Sequence, residues 1–316
     1  MHGERTRKSD SGHSEGDRRD RIACRRGRKR ARENLNLHLT VAGGSGFVGR
    51  HLVDALRARG DDVIVTSLRD IGAAAQACAR ADVVVNLAGA PVARRWTNAQ
   101  KSEIRRSRVE LTRALLDRIA EFERKPLAFV SASAIGYYGT SLTETFVETS
   151  SPGTDFLARV CLDWEREANR ASELGMRVAV VRTGLVLGPD GGALPMMLPP
   201  FRFGLGGKLA SGEQWMSWIH IEDLIDTYLH AIDGTIGAIN ATAPNPVTNA
   251  QFTHILGEVL RRPAVFPVPA FALRALFGEG ALILTEGQRV LPERTLASGY
   301  HFRYPELDPA LRSLLR

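Results

Sequence analysis

The chain has 316 residues, of which 44% are aliphatic, aromatic or cysteine residues and 24% are charged. This composition is typical of a soluble globular protein, and it excludes a wholly disordered, collagen-like or disulfide-stapled chain. No apolar run reaches about 18 residues, so no membrane-spanning helix is predicted. The three cysteines, Cys24, Cys78 and Cys161, are far apart and odd in number, which favours neither a zinc site nor a disulfide framework. A reducing, cytoplasmic location is therefore expected.

The formal net charge of +7 is concentrated at the N-terminus. Residues 1–34 carry twelve basic and six acidic side chains, which leaves a net charge of only +1 for the remaining 282 residues. Such a segment, almost without large apolar residues, predicts a disordered basic extension. It resembles neither a secretory signal nor a mitochondrial presequence. Its cluster at residues 25–30 could contact nucleic-acid phosphates non-specifically, or the extension is dispensable or wrongly assigned to the chain.

The next residues are typical of a dinucleotide-binding turn. Residues 37–42 predict a buried strand, the run GGSGFVG follows, and residues 50–59 predict a helix. Gly43 would permit the tight turn, Gly46 would let the backbone approach a pyrophosphate, and Gly49 would let the helix pack on the sheet. The pyrophosphate would lie at the helix N-terminus, where N–H groups and the dipole favour anions. An ordinary turn before a helix is the alternative.

The end of the second predicted strand, residues 62–67, favours NADP(H) over NAD(H). An NAD site usually carries Asp or Glu there to hold the ribose 2′-hydroxyl. This strand ends instead near Ser67 and Arg69, whose hydroxyl and guanidinium groups suit a 2′-phosphate. A shift by one residue would place the carboxylate of Asp70 at that position.

Further strands and helices alternate along the first half of the chain. The strands are predicted at 82–87, 127–131 and 177–181, and the helices at 73–80 and 105–119. This alternation predicts an α/β fold, with a Rossmann-type doubly wound parallel sheet and a smaller mixed α/β C-terminal substrate domain.

The sequence predicts two domains after the extension. The NADP-binding domain is expected at 35–187, with 219–242 returning to it. Residues 188–316 are expected to form a loop that caps the cleft and the C-terminal substrate domain.

Eight segments together resemble one known family. They are GGSGFVG, NLAG, RRWTNAQKSEIRRSRVELTRAL, SASAIGYYG, FLARVCLDWE, RTGLVLGPDGGAL, WIHIEDL and EGQRVLPERTLASGY. They resemble the atypical short-chain dehydrogenase/reductases, and most closely the epimerase-family branch, an NAD-dependent epimerase/dehydratase domain with its own short C-terminal domain. The resemblance covers residues 37–316. Its glycine turn is generic, whereas the segments 94–115 and 286–300 are specific to the branch.

The resemblance implies an NADP-type cofactor and further contacts at its pyrophosphate, along the carboxyl edge of the sheet and near the nicotinamide. Phe47 and Val48 would lie at the pyrophosphate, and Val186 would lie near the nicotinamide. The residues along the carboxyl edge of the sheet would be Asn86, Leu87, Ala88, Gly89, Glu103 and Arg108. Alternatively, Arg108 is an exposed helix cation, as most arginines are. Only 43 positions separate Gly43 from Asn86. The third, edge strand of the family is therefore expected to be shortened or absent, which leaves the adenine contacts open.

The usual catalytic pair of the resembled family is absent. These enzymes act through a Tyr-xxx-Lys pair and a serine, and the lysine helps the tyrosine to move a proton. No lysine of this chain has a tyrosine four residues earlier. In the helix that should carry the pair, Leu157 and Cys161 occupy the two positions, and Cys161 is expected to be a small buried residue.

Ser133 corresponds best to the family's serine, and Tyr137 and Tyr138 follow it at the same predicted edge of the cleft. One of the tyrosines could act as an alternative acid, or both line the pocket and donate ordinary hydrogen bonds. Hydride transfer needs only a positioned nicotinamide and a substrate carbon, so reductase chemistry is still possible. Sugar epimerisation of the usual type is not expected.

The run GPDGGALPMMLPPFRFGLGG predicts a loop with a short helix over the cleft. Apolar side chains in and after this run are candidate substrate contacts or, equally, core residues. The candidates are Met196, Met197, Phe201, Trp215 and Trp218. His220 is expected to make a structural hydrogen bond and Asp223 to cap a helix. Thr248 and Gln251 predict a capping box at the start of a helix.

Two functions from different classes follow from the sequence. The first is an NADP(H)-dependent oxidoreductase acting on a small-molecule substrate, a largely apolar carbonyl compound. The second is an NADP(H)-binding sensor or interaction protein without turnover, which the missing Tyr-xxx-Lys pair favours. The sequence shows no metal-ligand spacing, so no metal is predicted.

Overall fold

The computed structural model describes residues 36–315. In chain order the strands are β1 (His38–Ala42), β2 (Asp62–Thr66), β3 (Val83–Asn86), β4 (Ala128–Ala134), β5 (Thr145–Phe146), β6 (Arg177–Thr183), β7 (Leu185–Leu187), β8 (Trp215–Met216), β9 (Trp218–His220), β10 (Gly237–Ala241), β11 (Val247–Thr248) and β12 (Arg289–Val290). The helices are α1 (Phe47–Arg59), α2 (Ile71–Arg80), α3 (Asn98–Arg105), α4 (Leu111–Ala120), α5 (Phe156–Asn169), α6 (Leu194–Arg202), α7 (Ile221–Asp233), α8 (Asn249–Leu260), α9 (Ala270–Phe277), α10 (Leu282–Thr285), α11 (Glu293–Ala297) and α12 (Leu307–Leu314). The prediction for residues 1–34 lies outside the described residues.

Six parallel strands form the central sheet, in the order β10-β6-β4-β3-β1-β2. The chain runs from β1 to β2 on one side and then crosses to β3 on the other side of β1. In open α/β sheets, ligands bind outside the carboxyl ends of the strands at such a reversal. The predicted Rossmann-type fold is confirmed, and its crevice lies at the ends of β1 and β3.

The sheet is covered by helices on both faces, which explains its continuously apolar strands. One face packs α1 and α7 against it, through side chains such as Leu52, Leu56 and Tyr228. The other face packs α2 and α4, through side chains such as Cys78 and Leu115. Every residue of β3 is buried, as expected for a strand in the interior of a doubly covered sheet.

In the described part of the chain, β2 forms one edge of the sheet and β10 forms the other. Within residues 36–315, no strand pairs with the outer side of β2, as the short spacing between Gly43 and Asn86 predicts. Ile64 and Val65 on this strand are 44% and 42% exposed. This side of the crevice is therefore bounded by β2 itself rather than by a further described strand.

The C-terminal part of the chain has its own apolar core, made by α6, α8 and α12 around Trp218. Trp218 is fully buried and Phe201 is 5% exposed, so both are core residues here and offer no surface to a substrate. The capping box at the start of α8 is present, with Thr248 and Gln251 bonded reciprocally. β10 lies within the predicted return to the sheet and pairs with β6. The division at residue 187 stays a prediction.

The helix predicted at 105–119 is longer and irregular. It consists of α3, a π-helical segment at Arg106–Glu110, and α4. A π-helical turn carries an extra residue and is frequent at functional sites.

Among the described residues, no helix has both the length and the apolar character needed to cross a membrane.

His220 makes structural hydrogen bonds, as expected, whereas the role of Asp223 differs from the prediction. His220 caps α7 by accepting a hydrogen bond from the Glu222 N–H at 3.1 Å, and burial lowers the pKa of its imidazole. Asp223 is not the cap. Its buried carboxylate accepts hydrogen bonds from the backbone N–H groups of Arg303 and Tyr304, at 2.7 and 2.9 Å. Asp223 therefore fastens the C-terminal segment to α7.

Candidate functional site

The glycine turn after β1 adopts a conformation that requires its glycines. Gly43 has a positive φ of 82°, and a Cβ there would lie 2.9 Å from the Ala88 nitrogen. A Cβ on Gly49 would lie 2.4 Å from the Gly43 oxygen. The turn therefore packs directly on the end of β3 and on the first turn of α1.

The N-terminus of α1 is open to an anion. Gly46 is its N-cap residue and supplies no side-chain hydrogen bond to the first turn. The helix begins at Phe47 and Val48, earlier than predicted, so these residues present backbone N–H groups at the crevice. Such a helix end attracts phosphate through its free donors and its dipole.

A glycine-rich loop after β7 packs against Phe47. A Cβ on Gly188 or Gly191 would lie 2.4 or 2.2 Å from the Phe47 ring. The same loop is held by Asp190, which bonds His51 on α1 at 3.0 Å. Val186, the predicted nicotinamide neighbour, is half-buried in β7 and packs against the core beneath.

At the end of β2, Ser67 and Arg69 are exposed, whereas the Asp70 side chain is hydrogen-bonded to the start of α2. The Asp70 carboxylate caps α2 by accepting a hydrogen bond from the Ala73 N–H at 2.9 Å. Ser67 Oγ accepts a hydrogen bond from the Arg69 N–H at 3.3 Å, which orders this turn. Asp70 therefore serves as the helix cap, next to the exposed side chains of Ser67 and Arg69.

Asn86 shapes the turn after β3 from within the protein. It is fully buried, donates to Thr112 Oγ1 at 3.0 Å and accepts from the Ala88 N–H at 3.2 Å. Its side chain is therefore bonded within the protein, and its contact with a cofactor stays a prediction. Leu87 and Ala88 are half-buried and Gly89 is exposed, and the three follow Asn86 at this edge, next to the glycine turn.

Arg108 reaches this edge, whereas Glu103 does not. A Cβ on Gly89 would lie 3.0 Å from Arg108 Cζ, so the guanidinium lies against the glycine. Arg108 is half-buried, and desolvation lowers its pKa. Glu103 instead pairs with Arg106 on the surface, at 2.8 Å.

A buried polar network lies at the ends of β4, β6 and β10. Ser133, Arg182 and Asn240 are neighbours across these strands. Glu165 on α5 receives two guanidinium hydrogen bonds from Arg182, at 2.9 and 2.8 Å, and one from Ser133 Oγ at 2.6 Å. Both members of the ion pair are under 10% exposed. The serine hydroxyl is therefore committed to a carboxylate.

Tyr138 belongs to this network and is unsuited to proton transfer. It is 3% exposed, donates to Asn240 Oδ1 at 2.7 Å and accepts from Arg182 at 2.9 Å. Burial raises the pKa of its phenol to about 12. The prediction of Tyr138 as a catalytic acid is therefore corrected to a structural role.

Tyr137 is the tyrosine that remains accessible. It is half-buried, and its ring centroid lies 3.5 Å from Arg182 Cζ. Among the described residues its hydroxyl has no hydrogen-bond partner. A proton donor at this edge of the sheet would therefore be Tyr137.

The two positions of the missing catalytic pair are apolar. Leu157 packs beside Gly136, 3.4 Å from where a Cβ of that glycine would lie. Cys161 is buried, and desolvation raises the pKa of its thiol to about 12. Neither residue replaces the tyrosine or the lysine.

Of the remaining candidate substrate residues, Met196 is 61% exposed, and Met197 and Trp215 are half-buried. Trp215 lies under the guanidinium of Arg289, with Cζ 5.2 Å from the ring centroid.

No metal-binding cluster occurs in the described range 36–315. The buried network of Glu165 and Arg182 was not predicted from the sequence. The arginine within the apolar strand VAVVRT does indicate a buried charge that needs a partner.

A reversal in a doubly wound sheet, with a glycine turn and an uncapped helix N-terminus beside it, defines a Rossmann-type dinucleotide-binding protein. Comparison with known families places the chain more narrowly. Residues 39–240 match the NAD dependent epimerase/dehydratase family, and residues 268–314 match a domain of unknown function, DUF1731. The chain belongs to the NAD dependent epimerase/dehydratase family, in an atypical branch of the short-chain dehydrogenase/reductases.

Its relatives span nearly the whole chain. The epimerase family protein SDR39U1 homolog, chloroplastic, of Arabidopsis thaliana is 41% identical over 95% of this chain and 92% of its own length. The human epimerase family protein SDR39U1 is 39% identical over 88% of this chain and all of its own length. A crystal structure of the human protein (isoform 2) with NADPH covers 87% of this chain and 98% of that chain, at 38% identity and a TM-score of 0.81.

Proposed function

We propose that this protein is an NADP(H)-dependent oxidoreductase acting on a small-molecule substrate. The observation that carries the proposal is the donor-rich crevice at the glycine turn, together with Arg69 at the end of β2 and the engagement of Asp70 in a helix cap. The NADPH in the crystal structure of the human relative supports the same cofactor.

The described residues fit this cofactor. The N-terminus of α1 would hold the pyrophosphate, because its first turn has no side-chain cap. Ser67 and Arg69 would hold the 2′-phosphate, and Leu87 to Gly89 would follow the cofactor along the edge. Val186 would lie on the nicotinamide side of the crevice. When bound, the nicotinamide would supply or accept the hydride.

Tyr137 would exchange the proton that accompanies hydride transfer. Its hydroxyl is uncommitted among the described residues, whereas those of Ser133 and Tyr138 are bonded within the network. Arg182 lies under its ring and would stabilise negative charge that develops there. Ser133 would act through Glu165, which holds Arg182 in place.

We expect the protein to bind NADPH at least tenfold more tightly than NADH, and Arg69→Ala to remove this preference. A charge-assisted hydrogen bond contributes about 1.5–3 kcal/mol, and about 1.4 kcal/mol corresponds to a tenfold change in affinity. Titration of cofactor fluorescence measures both dissociation constants. Arg80→Ala, on the last turn of α2, is the matched control and should leave both unchanged. Equal affinities in the unchanged protein would contradict the proposed cofactor.

Turnover is tested by a screen of aldehydes and ketones for NADPH oxidation. For any substrate found, Tyr137→Phe should lower kcat by about 100-fold or more, as loss of a general acid does, with NADPH affinity unchanged. Undiminished kcat in Tyr137→Phe would exclude this tyrosine as the proton donor.

A cofactor-binding sensor or interaction protein is the second candidate function. The apolar residues at the positions of the catalytic pair, Leu157 and Cys161, favour it. Tight NADPH binding without oxidation in any reaction of the screen would support this function over turnover. A cytoplasmic location stays part of the proposal, with Cys78 and Cys161 as buried free thiols.

A further inference from the structure

Two segments of the C-terminal part expose bulky apolar side chains to solvent. The first follows α6 and carries Phe203 and Leu205, which are 81% and 58% exposed. The second lies between α8 and α9 and carries Val265 and Phe266, which are 70% and 53% exposed. Single exposed apolar residues are common, whereas a contiguous apolar patch usually marks an interaction surface. The packing of the two segments therefore decides what these residues can do.

The two segments run side by side. The Phe266 N–H donates to the Gly206 carbonyl at 3.0 Å, and the Val268 N–H donates to the Lys208 carbonyl at 2.9 Å. A Cβ on Gly204 would lie 3.6 Å from a carbon of the Pro263 ring, so the segments are in contact at this end too. Their exposed apolar residues therefore form one patch, which we call the apolar ribbon. Its members are Phe203, Leu205, Val265 and Phe266.

The segments that form the apolar ribbon carry positive charge only. Residues 191–212 and 259–278 contain five basic side chains and no Asp or Glu. All five are exposed, and none forms an ion pair within the described part of the chain. They are Arg202, Lys208, Arg261, Arg262 and Arg274. Clustered charge of one sign attracts a partner of the opposite sign, so the expected partner is anionic.

Three of these cations meet at one open cavity next to the apolar ribbon. Lys208, Arg261 and Arg262 line it together with Val265, and its volume is about 510 Å³. Glu258 is the one acidic residue among its described lining residues, and it pairs with a histidine one turn earlier on α8. The cavity therefore has room and positive charge for an anionic head group, directly beside the apolar side chains.

An anionic bilayer matches these features better than a partner helix or a second copy of the chain does. Phe203 and Val265 project with 81% and 70% exposure, whereas a groove that binds a helix buries much of its lining. In a symmetric dimer the same surface would face itself, and the unpaired cations of the two copies would repel each other. Apolar side chains that project among cations are typical of proteins that lie at an anionic membrane surface.

We propose that the apolar ribbon and the cations beside it dock this protein on an anionic lipid bilayer. The apolar side chains enter the boundary between head groups and acyl chains, and Lys208, Arg261 and Arg262 contact lipid phosphates. Docking of this kind lies in the plane of the membrane and needs no membrane-spanning helix. The membrane surface is separate from the cofactor crevice and does not depend on the proposed oxidoreductase function.

Flotation with vesicles tests the membrane surface. The full-length protein is mixed with vesicles of phosphatidylcholine alone, or of equal parts of phosphatidylcholine and phosphatidylglycerol. We expect binding to the anionic vesicles that exceeds binding to the neutral ones and falls as salt is raised. Phe203→Ser should weaken binding about tenfold, because one aromatic side chain is no longer buried. Arg261→Gln combined with Arg262→Gln should weaken it about tenfold or more, because two cations leave the surface.

Two matched controls should bind the vesicles as the unchanged protein does. Leu127→Ser replaces an apolar residue that is 70% exposed, just before β4. Arg57→Gln combined with Arg80→Gln removes two exposed cations from the last turns of α1 and α2. The midpoint of urea denaturation, measured on each protein, verifies that every variant is folded.

Three results would overturn the proposal. The first is equal binding to neutral and anionic vesicles, or binding to neither. The second is anionic binding that Phe203→Ser and the Arg261 and Arg262 double variant retain in full, which would assign it to the basic residues at 1–34. The third is a dimer, measured by sedimentation velocity, that Phe203→Ser dissociates, because the apolar ribbon would then join two copies of the chain.

Discussion

Replacing Arg182 by methionine is expected to lower the free energy of unfolding by about 3–5 kcal/mol, the range for breaking a buried ion pair. The variant leaves the carboxylate of Glu165 buried without its two guanidinium hydrogen bonds. It also leaves Tyr138 with one partner fewer and removes the cation under Tyr137. Urea denaturation measures the loss.

The matched control is Arg113→Met. Arg113 also bonds a glutamate on α5, Glu167, at 2.6 Å, but its side chain is 54% exposed. Exposed pairs contribute about 0–1 kcal/mol, so the control should lose little stability. Combining Arg182→Met with Glu165→Leu should cost less than the sum of the two single changes, because the double variant leaves no unpaired charge. Equal losses in Arg182→Met and Arg113→Met would contradict the role assigned to the buried pair.

The parts of the fold that local sequence determines could be predicted. Apolar runs give buried strands, and a glycine run between a strand and a helix gives the phosphate-binding turn. The spacing from Gly43 to Asn86 also indicates the missing edge strand, because chain length limits what can lie between two strands. The π-helical segment could not be predicted, since nothing in its local pattern distinguishes it from a regular helix.

The candidate site was predictable only where one segment forms it. Ser133, Glu165 and Arg182 come from two strands and a helix, so their contact depends on the pairing of β4 with β6 and on the docking of α5. The role of Trp218 likewise could not be predicted from its own segment. A tryptophan near a predicted cleft is equally compatible with a pocket and with a core, and packing by α6, α8 and α12 decides for the core.

The buried network of Glu165 and Arg182 also supplies a cation beside Tyr137, although the catalytic Tyr-xxx-Lys pair is missing. The cation beside Tyr137 is Arg182, which comes from the sheet beneath this tyrosine rather than from the helix at Cys161. The charge is held by Glu165 and is unavailable to a ligand. Arg108, by contrast, has no carboxylate partner in the described part of the chain and lies against Gly89.

Gly49→Ala is expected to weaken NADPH binding by about 100-fold or more, equivalent to about 2.8 kcal/mol. The added Cβ would lie 2.4 Å from the Gly43 oxygen and 2.7 Å from Gly44 Cα. Both neighbours are backbone atoms of the turn, so the turn and the first turn of α1 must separate. The N–H groups proposed to bind the pyrophosphate would then lose their common direction, and each lost charge-assisted hydrogen bond costs about 1.5–3 kcal/mol. Fluorescence titration with NADPH measures the change.

Gly72→Ala separates this effect from the general cost of replacing a glycine. Gly72 lies in α2, and a Cβ there would meet only Asp70 Oδ1 at 3.5 Å, an ordinary contact. Alanine in a helix is favoured over glycine, so this variant should be more stable by about 0.4–1 kcal/mol, with unchanged NADPH affinity. Overpacking should instead lower the stability of Gly49→Ala by about 1–3 kcal/mol. A folded Gly49→Ala protein that binds NADPH as tightly as the unchanged protein would show that the cofactor does not lie on this turn.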